Sequence, residues 1–280
     1  MTSEPCEIDD VRLAERFHAD GFVIARGILD LGAVEGVSAF LHAKLREVAV
    51  AFERAGLDFN DPNLSSVLSA RLSDQLDLLP KFNHDIFSGT FPFAVRRSEV
   101  LWRIPNCRKL RKMLSAILGS AELFMHMLPT ARFVPPSYSH AAVPPHRDIA
   151  YNNHLSDFVT VWTPFMLIDE ECGGVRVYRN SIQTDLSPPA QEPSTAPSRF
   201  WVPGQETIGF NHVDCFMEPG DVLIFHRGLL HGSRPNHSDR IRLSMDMRIF
   251  GSNARTTKHY LDMQELRVFE PFSGTQHVKI

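Results

Sequence analysis

The sequence predicts an α+β protein in which N-terminal helices flank a jelly-roll barrel. Three observations predict it. Apolar residues recur every three or four positions over 8–20, 31–56, 64–79 and 106–118, so the first 120 residues are mostly helical. From residue 122 the period falls to two. The strands read from that period are short and numerous, and turn residues separate them. A chain of 280 residues is long enough for one large domain. We read 1–280 as that domain, with a mainly helical part at 1–120, a barrel core at 122–250 and a C-terminal tail at 251–280.

Residues 8–20 carry Val11, Leu13, Phe17 and His18 at helical spacing, and Asp20-Gly21 ends the helix before a short strand, Phe22–Ala25. Residues 31–56 form the strongest helical segment: Val34, Val37, Phe40, Leu41, Leu45, Val48 and Phe52 make one apolar stripe, and Gly56 stops it. Further helices are expected over 64–79 and 106–118, the latter ending at Gly119. Strands are expected at Leu123–Leu128, Thr130–Val134, Phe158–Ile168, Val175–Tyr178, Phe210–Val213, Val222–Arg227 and Arg240–Phe250. In the last of these, Ile241, Leu243, Met245, Met247 and Ile249 share one face, and Arg240, Arg242, Ser244, Asp246 and Arg248 share the other. The apolar face should pack on the helices and the polar face should enter the barrel. Residues 185–207, rich in Pro and Ser, read as a surface loop or as a lid over the barrel mouth.

Composition excludes several classes. Hydrophobic residues make up 43% and charged residues 22%, which suits a globular protein with a sizeable core. A net charge of -4 gives no reason to expect nucleic acid or an anionic membrane as partner. Cys6, Cys107, Cys172 and Cys215 are scattered, with no C-x-x-C pair, and read as reduced thiols of a cytoplasmic protein. The acidic N-terminus lacks the apolar core of a secretory signal, and no apolar run reaches bilayer-spanning length.

The chemistry centres on Pro144-Pro145-His146-Arg147-Asp148. In an extended strand, His146 and Asp148 would point to the same face. His231, just after the apolar run Val222–Phe225, supplies a third candidate ligand. Two histidines and one carboxylate make the facial triad of non-haem Fe(II) enzymes, with open coordination positions. His226, His212, His140 and His154 are not expected to be ligands.

After His231 comes Gly232-Ser233-Arg234-Pro235-Asn236-His237-Ser238, and Arg242 lies eleven residues beyond the histidine. This arrangement resembles the phytanoyl-CoA dioxygenase family of Fe(II)/2-oxoglutarate oxygenases, in which the distal histidine opens an H-G-S-x-x-N-x-S segment. The segment containing Phe17, Asp20, Gly21, Phe22 and Val23 also resembles the start of such chains. Where the family usually continues into P-G-S-H, this chain has Arg179-Asn180-Ser181-Ile182. The resemblance implies a double-stranded β-helix, with Fe(II) on His146, Asp148 and His231 and 2-oxoglutarate as co-substrate. It implies that Arg242 grips the far carboxylate of 2-oxoglutarate, a task suited to a planar guanidinium. Arg240 is a competitor on the same strand face. Ser233, Thr130, Arg132 and Trp162 are further candidate co-substrate contacts, and each has a structural alternative as turn, strand or core residue. Halogenating relatives carry a small residue where this chain has Asp148, so the resemblance favours hydroxylation, desaturation or ring formation.

The expected partners are O2 and a small-molecule substrate. Lys81, His84, Arg96, Arg97 and Arg103 either receive an anionic group of it or form a solvated face. Two other classes compete: a cupin-like metalloenzyme that uses no 2-oxoglutarate, in which Arg242 has no stated task, and a non-catalytic ligand-binding barrel, in which a buried His/Asp cluster without metal would be costly.

Overall fold

Helix α1 (Asp10–Asp20) and strand β1 (Phe22–Ala25) begin the structure, a computed structural model that describes residues 10–61, 63, 64, 66, 67, 85–183, 202 and 204–271. Most of the helix expected over 64–79, Lys81 and His84, and residues 185–201 and 203 of the expected loop fall outside the described residues. Phe17 of α1 is buried as expected, but His18 is exposed and Ala14 takes its place on the buried stripe. Gly21 turns the chain with φ 76°, and a Cβ there would lie 2.4 Å from Ile182. Only glycine meets both demands.

Helix α2 (Leu31–Arg54) starts where Asp30 accepts a hydrogen bond from the Ala33 amide at 2.8 Å, a side-chain N-cap. Its buried stripe is Val34, Val37, Leu41, Val48 and Phe52. Phe52 meets Phe59, Phe87 and Tyr138 edge-on, with centroids 5.2, 5.0 and 6.2 Å away. Each such side chain contributes about 1.5–3 kcal/mol by leaving water. Two short helices, α3 (Phe93–Arg96) and a 3-10 turn at Glu99–Arg103, lead to α4 (Arg108–Leu118). That helix ends at Gly119 in the left-handed conformation, φ 59°. It packs against α1.

The remaining chain is mostly antiparallel strand: β2 (Leu123–His126), β3 (Thr130–Val134), β4 (Val159–Pro164), β5 (Gly174–Tyr178), β6 (His212–Asp214), β7 (Val222–His226), β8 (His231–Arg234), β9 (Arg242–Gly251), β10 (Tyr260–Asp262) and β11 (Val268–Phe269). A large sheet runs β1-β7-β4-β9-β2-β10-β11, with β3 also paired to β9, and a small sheet runs β6-β5-β8. Three differences from the sequence reading stand out. His231 opens a strand of its own, which is not among the expected strands. Arg240 falls outside β9. The C-terminal tail after 251 contributes β10 and β11, which extend the large sheet beyond β2 and are not among the expected strands.

Alternation along the strands divides the core. Val159 and Val161 of β4, Val222 and Ile224 of β7, and Leu243, Met245, Met247 and Ile249 of β9 join the helices in one apolar cluster. The alternate residues Trp162, Leu223 and Phe225 meet Val175, Val177, Cys215 and Met217 of the small sheet in a second cluster. The two sheets therefore face each other, and the polar face of β9 lies between them, as its pattern predicts.

Candidate metal centre and its cavity

His146 and His231 are brought together by backbone pairing. The His146 amide donates to the His231 carbonyl at 2.8 Å, and the His231 amide returns a bond of 3.0 Å. Residues directly opposite in an antiparallel ladder project to the same face, and the two imidazole centroids lie 4.3 Å apart. Arg147, between the ligand residues in sequence, turns the other way: its Nε and Nη2 donate to the Ser181 carbonyl at 3.3 and 3.1 Å. The Ser181 hydroxyl accepts the Leu230 amide at 3.0 Å. The segment that departs from P-G-S-H thus tethers the neighbours of both histidines.

Asp148 is not in an extended strand, contrary to the sequence reading. It is the first residue of a helical turn, α5 (Asp148–Tyr151). Arg147 remains extended (φ -122°, ψ 131°), and that suffices to carry the carboxylate to the same side as His146. Asp148 Oδ1 lies 3.6 Å from His146 Nε2 and 3.8 Å from His231 Nε2. The other nitrogen of each ring faces a carbonyl: His146 Nδ1 is 2.8 Å from Pro144 O and His231 Nδ1 is 3.0 Å from Leu229 O. Those contacts favour Nδ1–H donation and leave both Nε2 lone pairs free for a cation.

The large sheet holds Asp148 from behind. Thr160 of β4 donates to Oδ2, and Arg248 of β9 reaches Oδ1 with Nη2 at 3.0 Å. Register explains the pair, since Thr160 and Arg248 are opposite one another across β4 and β9. Burial pushes the Asp148 carboxyl upward, but Arg248 and the two imidazoles more than offset it and hold it well below the usual carboxylate range. His231 is pushed down to about 3 by burial and by His146. An anionic carboxylate and an unprotonated imidazole are the forms that bind a metal. Two nitrogens and one oxygen, all within 4.8 Å of one another, fit a facial triad for a divalent first-row metal.

The triad lines a cavity of about 1010 Å³. Thr130, Arg132, Trp162 and Ser233 line it too, so these four sequence candidates are gathered at one site. Arg132 Nη2 is already engaged by the Ser88 and Ala141 carbonyls at 3.0 and 2.8 Å. Of the basic residues expected near an anionic substrate, Arg96 reaches the cavity, whereas Arg97 and Arg103 are exposed. His226 is no ligand: its Nδ1 accepts the Gly228 amide at 3.0 Å in the turn between β7 and β8. His212 is exposed on β6.

Arg242 is 3% exposed and lies between the sheets, beside rather than among the residues lining the cavity. Its Nη1 donates to Cys172 O at 3.2 Å and Arg234 O at 3.1 Å, and its Nε has no partner among the described residues. Burial pushes the guanidinium down to about 10. A buried cation that meets only carbonyls is an unsatisfied charge, and a carboxylate would satisfy it. Arg240 instead pairs with Asp169 at 2.6 Å near the surface, so it already has an anionic partner. Asn236 and Ser238 build the turn into β9. Asn236 Nδ2 donates to Val134 O and Arg240 O at 2.8 and 2.7 Å, and Ser238 Oγ donates to Asn236 Oδ1 at 2.7 Å.

Sequence reasoning did not assign Thr160, Arg248 or His126 to the site. Arg248 was legible as a member of the polar face of β9; the others depended on which strands pair.

A family model described as Phytanoyl-CoA dioxygenase (PhyH) matches residues 17–244. A 1-deoxypentalenic acid 11-beta-hydroxylase of Streptomyces exfoliatus is 27% identical over 261 residues, covering 86% of this chain and 82% of the relative. Among solved structures, the non-heme alpha ketoglutarate dependent epimerase SnoN from nogalamycin biosynthesis superposes with a TM-score of 0.56 at 19% identity, covering 88% of this chain and 82% of that one. EctD from S. alaskensis, determined with 2-oxoglutarate and 5-hydroxyectoine, gives a TM-score of 0.52 at 15% identity, covering 91% and 80%.

Proposed function

Because this chain belongs to the phytanoyl-CoA dioxygenase family, we propose that it is an Fe(II)- and 2-oxoglutarate-dependent dioxygenase that hydroxylates an unactivated C–H bond of a small organic acid. The observation that carries this reading is the convergence of His146 Nε2, His231 Nε2 and Asp148 Oδ1 at the wall of a cavity large enough for such a substrate. We read the two facing sheets as the walls of a double-stranded β-helix and the whole chain as one domain.

His146, Asp148 and His231 would hold the iron. Bound there with 2-oxoglutarate and O2, Fe(II) would supply the oxidising power to place one oxygen atom of O2 in the substrate C–H bond and the other in succinate, with loss of CO2 from the 2-oxo acid. The chain's own task is placement. Thr160 and Arg248 fix the Asp148 carboxylate. The paired β-bridge fixes both imidazoles. Arg242 would take the far carboxylate of 2-oxoglutarate, and its partnerless Nε supports this role. Trp162, Ser233, Thr130 and Arg132 would complete the co-substrate wall. Trp162 and Phe225 would also keep stray water from the reacting carbon. The presence of Asp148 as third ligand favours hydroxylation over halogenation. The acid named in the 1-deoxypentalenic acid hydroxylase and the basic residues Arg96, Arg132, Arg248 and Lys258 of the cavity both support an acidic substrate.

The test is succinate release from the iron-loaded protein with a panel of small carboxylic acids. Turnover that requires both Fe(II) and 2-oxoglutarate is expected. Substrate oxidation without 2-oxoglutarate would favour the cupin-like alternative, and absence of both metal and turnover would favour a binding barrel.

A further inference from the structure

Three basic side chains from separate strands and loops, His126, Arg248 and Lys258, line one cavity, and His154 lies beside His126. His126 ends β2, next to the pair Met125–Ile249 that aligns β2 with β9, and Arg248 is the next residue of β9. His154 follows α5, and its ring centroid is 4.6 Å from that of His126. Lys258 precedes β10. Backbone bonds fix these segments together: Met127 N to His259 O at 2.9 Å, Thr257 N to His154 O at 3.2 Å, and a bridge between Leu155 and Thr256. His126, Arg248 and Lys258 line the cavity wall, which they share with the metal-ligand residues.

Three of the four, His126, His154 and Lys258, show an unpartnered nitrogen among the described residues. Nε2 of His126 and Nε2 of His154 are both buried without a hydrogen bond among the described residues. Buried polar atoms are almost always paired, so two orphans in adjacent rings mark a place where a partner belongs. The Lys258 ammonium has no hydrogen bond or ion pair among the described residues, whereas Arg248 is committed to Asp148 and Asp246. Burial first, then His154, Arg248 and Lys258, push His126 down to about 3, and burial, Lys258 and Arg248 push His154 down to about 4. Both rings are therefore neutral at pH 7 and serve as hydrogen-bonding groups, not cations.

We propose that His126, His154, Arg248 and Lys258 form the subsite that binds the carboxylate of the prime substrate and so aims its carbon skeleton at the metal centre. This deepens the reading of the cavity as a substrate chamber and rests on it. The charge balance selects a carboxylate over a dianionic phosphate: Lys258 is the single uncommitted cation of the cluster, the imidazoles are neutral, and Arg248 already faces two aspartates. The subsite is separate from the co-substrate anchor, because Arg242 contacts Cys172 and Arg234 on the small-sheet side. One wall then reads the substrate acid and the other the 2-oxo acid.

The experiment is calorimetric titration of the full chain loaded with Ni(II) and saturating 2-oxoglutarate. The probes are adamantanecarboxylate and the near-isosteric, neutral adamantanecarboxamide. The acid is expected to bind at least about tenfold more tightly than the amide, the scale of one charge-assisted hydrogen bond. Lys258→Met and His126→Phe should each erase most of that preference, and Lys258→Arg should restore it. Lys258 is exposed, so its variants should melt like the parent. Equal binding of acid and amide, binding of neither, or full preference retained in either variant would overturn the subsite. The titration is repeated without 2-oxoglutarate, and an acid preference seen only in its absence would also overturn the subsite, because the co-substrate itself would then occupy the cluster. A protein that prefers the acid but releases no succinate would remove the oxygenase reading and leave the subsite standing; an active enzyme indifferent to probe charge would do the reverse.

Discussion

The Thr160 hydroxyl donates to Asp148 Oδ2 at 2.5 Å, while Oδ1 of the same carboxylate faces both candidate ligands, His146 and His231. The threonine belongs to the large sheet and the histidines to the small one and its bridge, so the aspartate is held between the two. Thr160→Val keeps the shape and removes the hydrogen bond. Metal affinity should fall by about 10–100-fold, the usual effect of losing a partner behind a ligand. Titration with Co(II) reads this directly, and unchanged affinity would mean that Arg248 alone orients the carboxylate.

His231→Ala should abolish turnover and sharply reduce iron content, because two ligands remain of three. His226→Ala should leave both intact, since that imidazole serves the Gly228 turn. Metal analysis of the two purified variants separates them. Full activity in His231→Ala would refute the triad.

Arg242→Ala should raise the apparent KM for 2-oxoglutarate far more than that for the prime substrate. The loss should be about 2–5 kcal/mol for a buried charge pair. Arg242→Lys should recover only part of it, because an ammonium cannot reproduce the guanidinium fork. Arg240→Ala should be nearly silent, since its partner is Asp169 at the surface. The reverse pattern would move the anchor to Arg240.

Gly173→Ala tests how Arg242 is seated. Gly173 has φ 82°, and a Cβ there would lie 2.2 Å from Pro235 O and 3.0 Å from Arg242 Nη1. The substitution should destabilise the fold by more than about 1 kcal/mol, because the backbone conformation and the space both oppose it. It should also weaken 2-oxoglutarate binding in the protein that remains folded. A melting curve and a 2-oxoglutarate titration like those of the parent would show that Arg242 has room to move.

Acidification should destabilise the metal-free protein. His126 and His154 are held at about 3 and about 4, below the usual 6.5. The unfolded chain therefore binds more protons than the folded one between those values and 6.5. Stability falls as pH drops through that window and stops falling on this account below the folded values. Arg248 and Lys258, the cations facing both rings, oppose protonation in the folded state. Melting temperatures measured across the window should decline, and the double variant His126→Phe/His154→Phe should show a shallower decline. An equally steep decline in that variant would assign the acid limb to other groups.

Local chemistry in the sequence determined the helices with clear apolar stripes, the strands with period two, and the ligand candidates His146, Asp148 and His231. It also determined the two-faced character of β9, because alternation needs no knowledge of neighbours. The tertiary structure decided what depends on pairing. Asp148 reaches the metal centre from a helical turn and not a strand, because an extended Arg147 is sufficient to place it. Arg242 and Arg240, equivalent on the sequence pattern, separate into a buried unsatisfied cation and a surface ion pair, because β9 begins at Arg242. Thr160 and Arg248 are 88 positions apart in the numbering, yet the register of β4 on β9 places them opposite one another. The tail after Gly251 looked featureless because β10 and β11 are only three and two residues long. Strands so short carry no readable period, and a sheet edge already in place supplies the hydrogen bonds that define them.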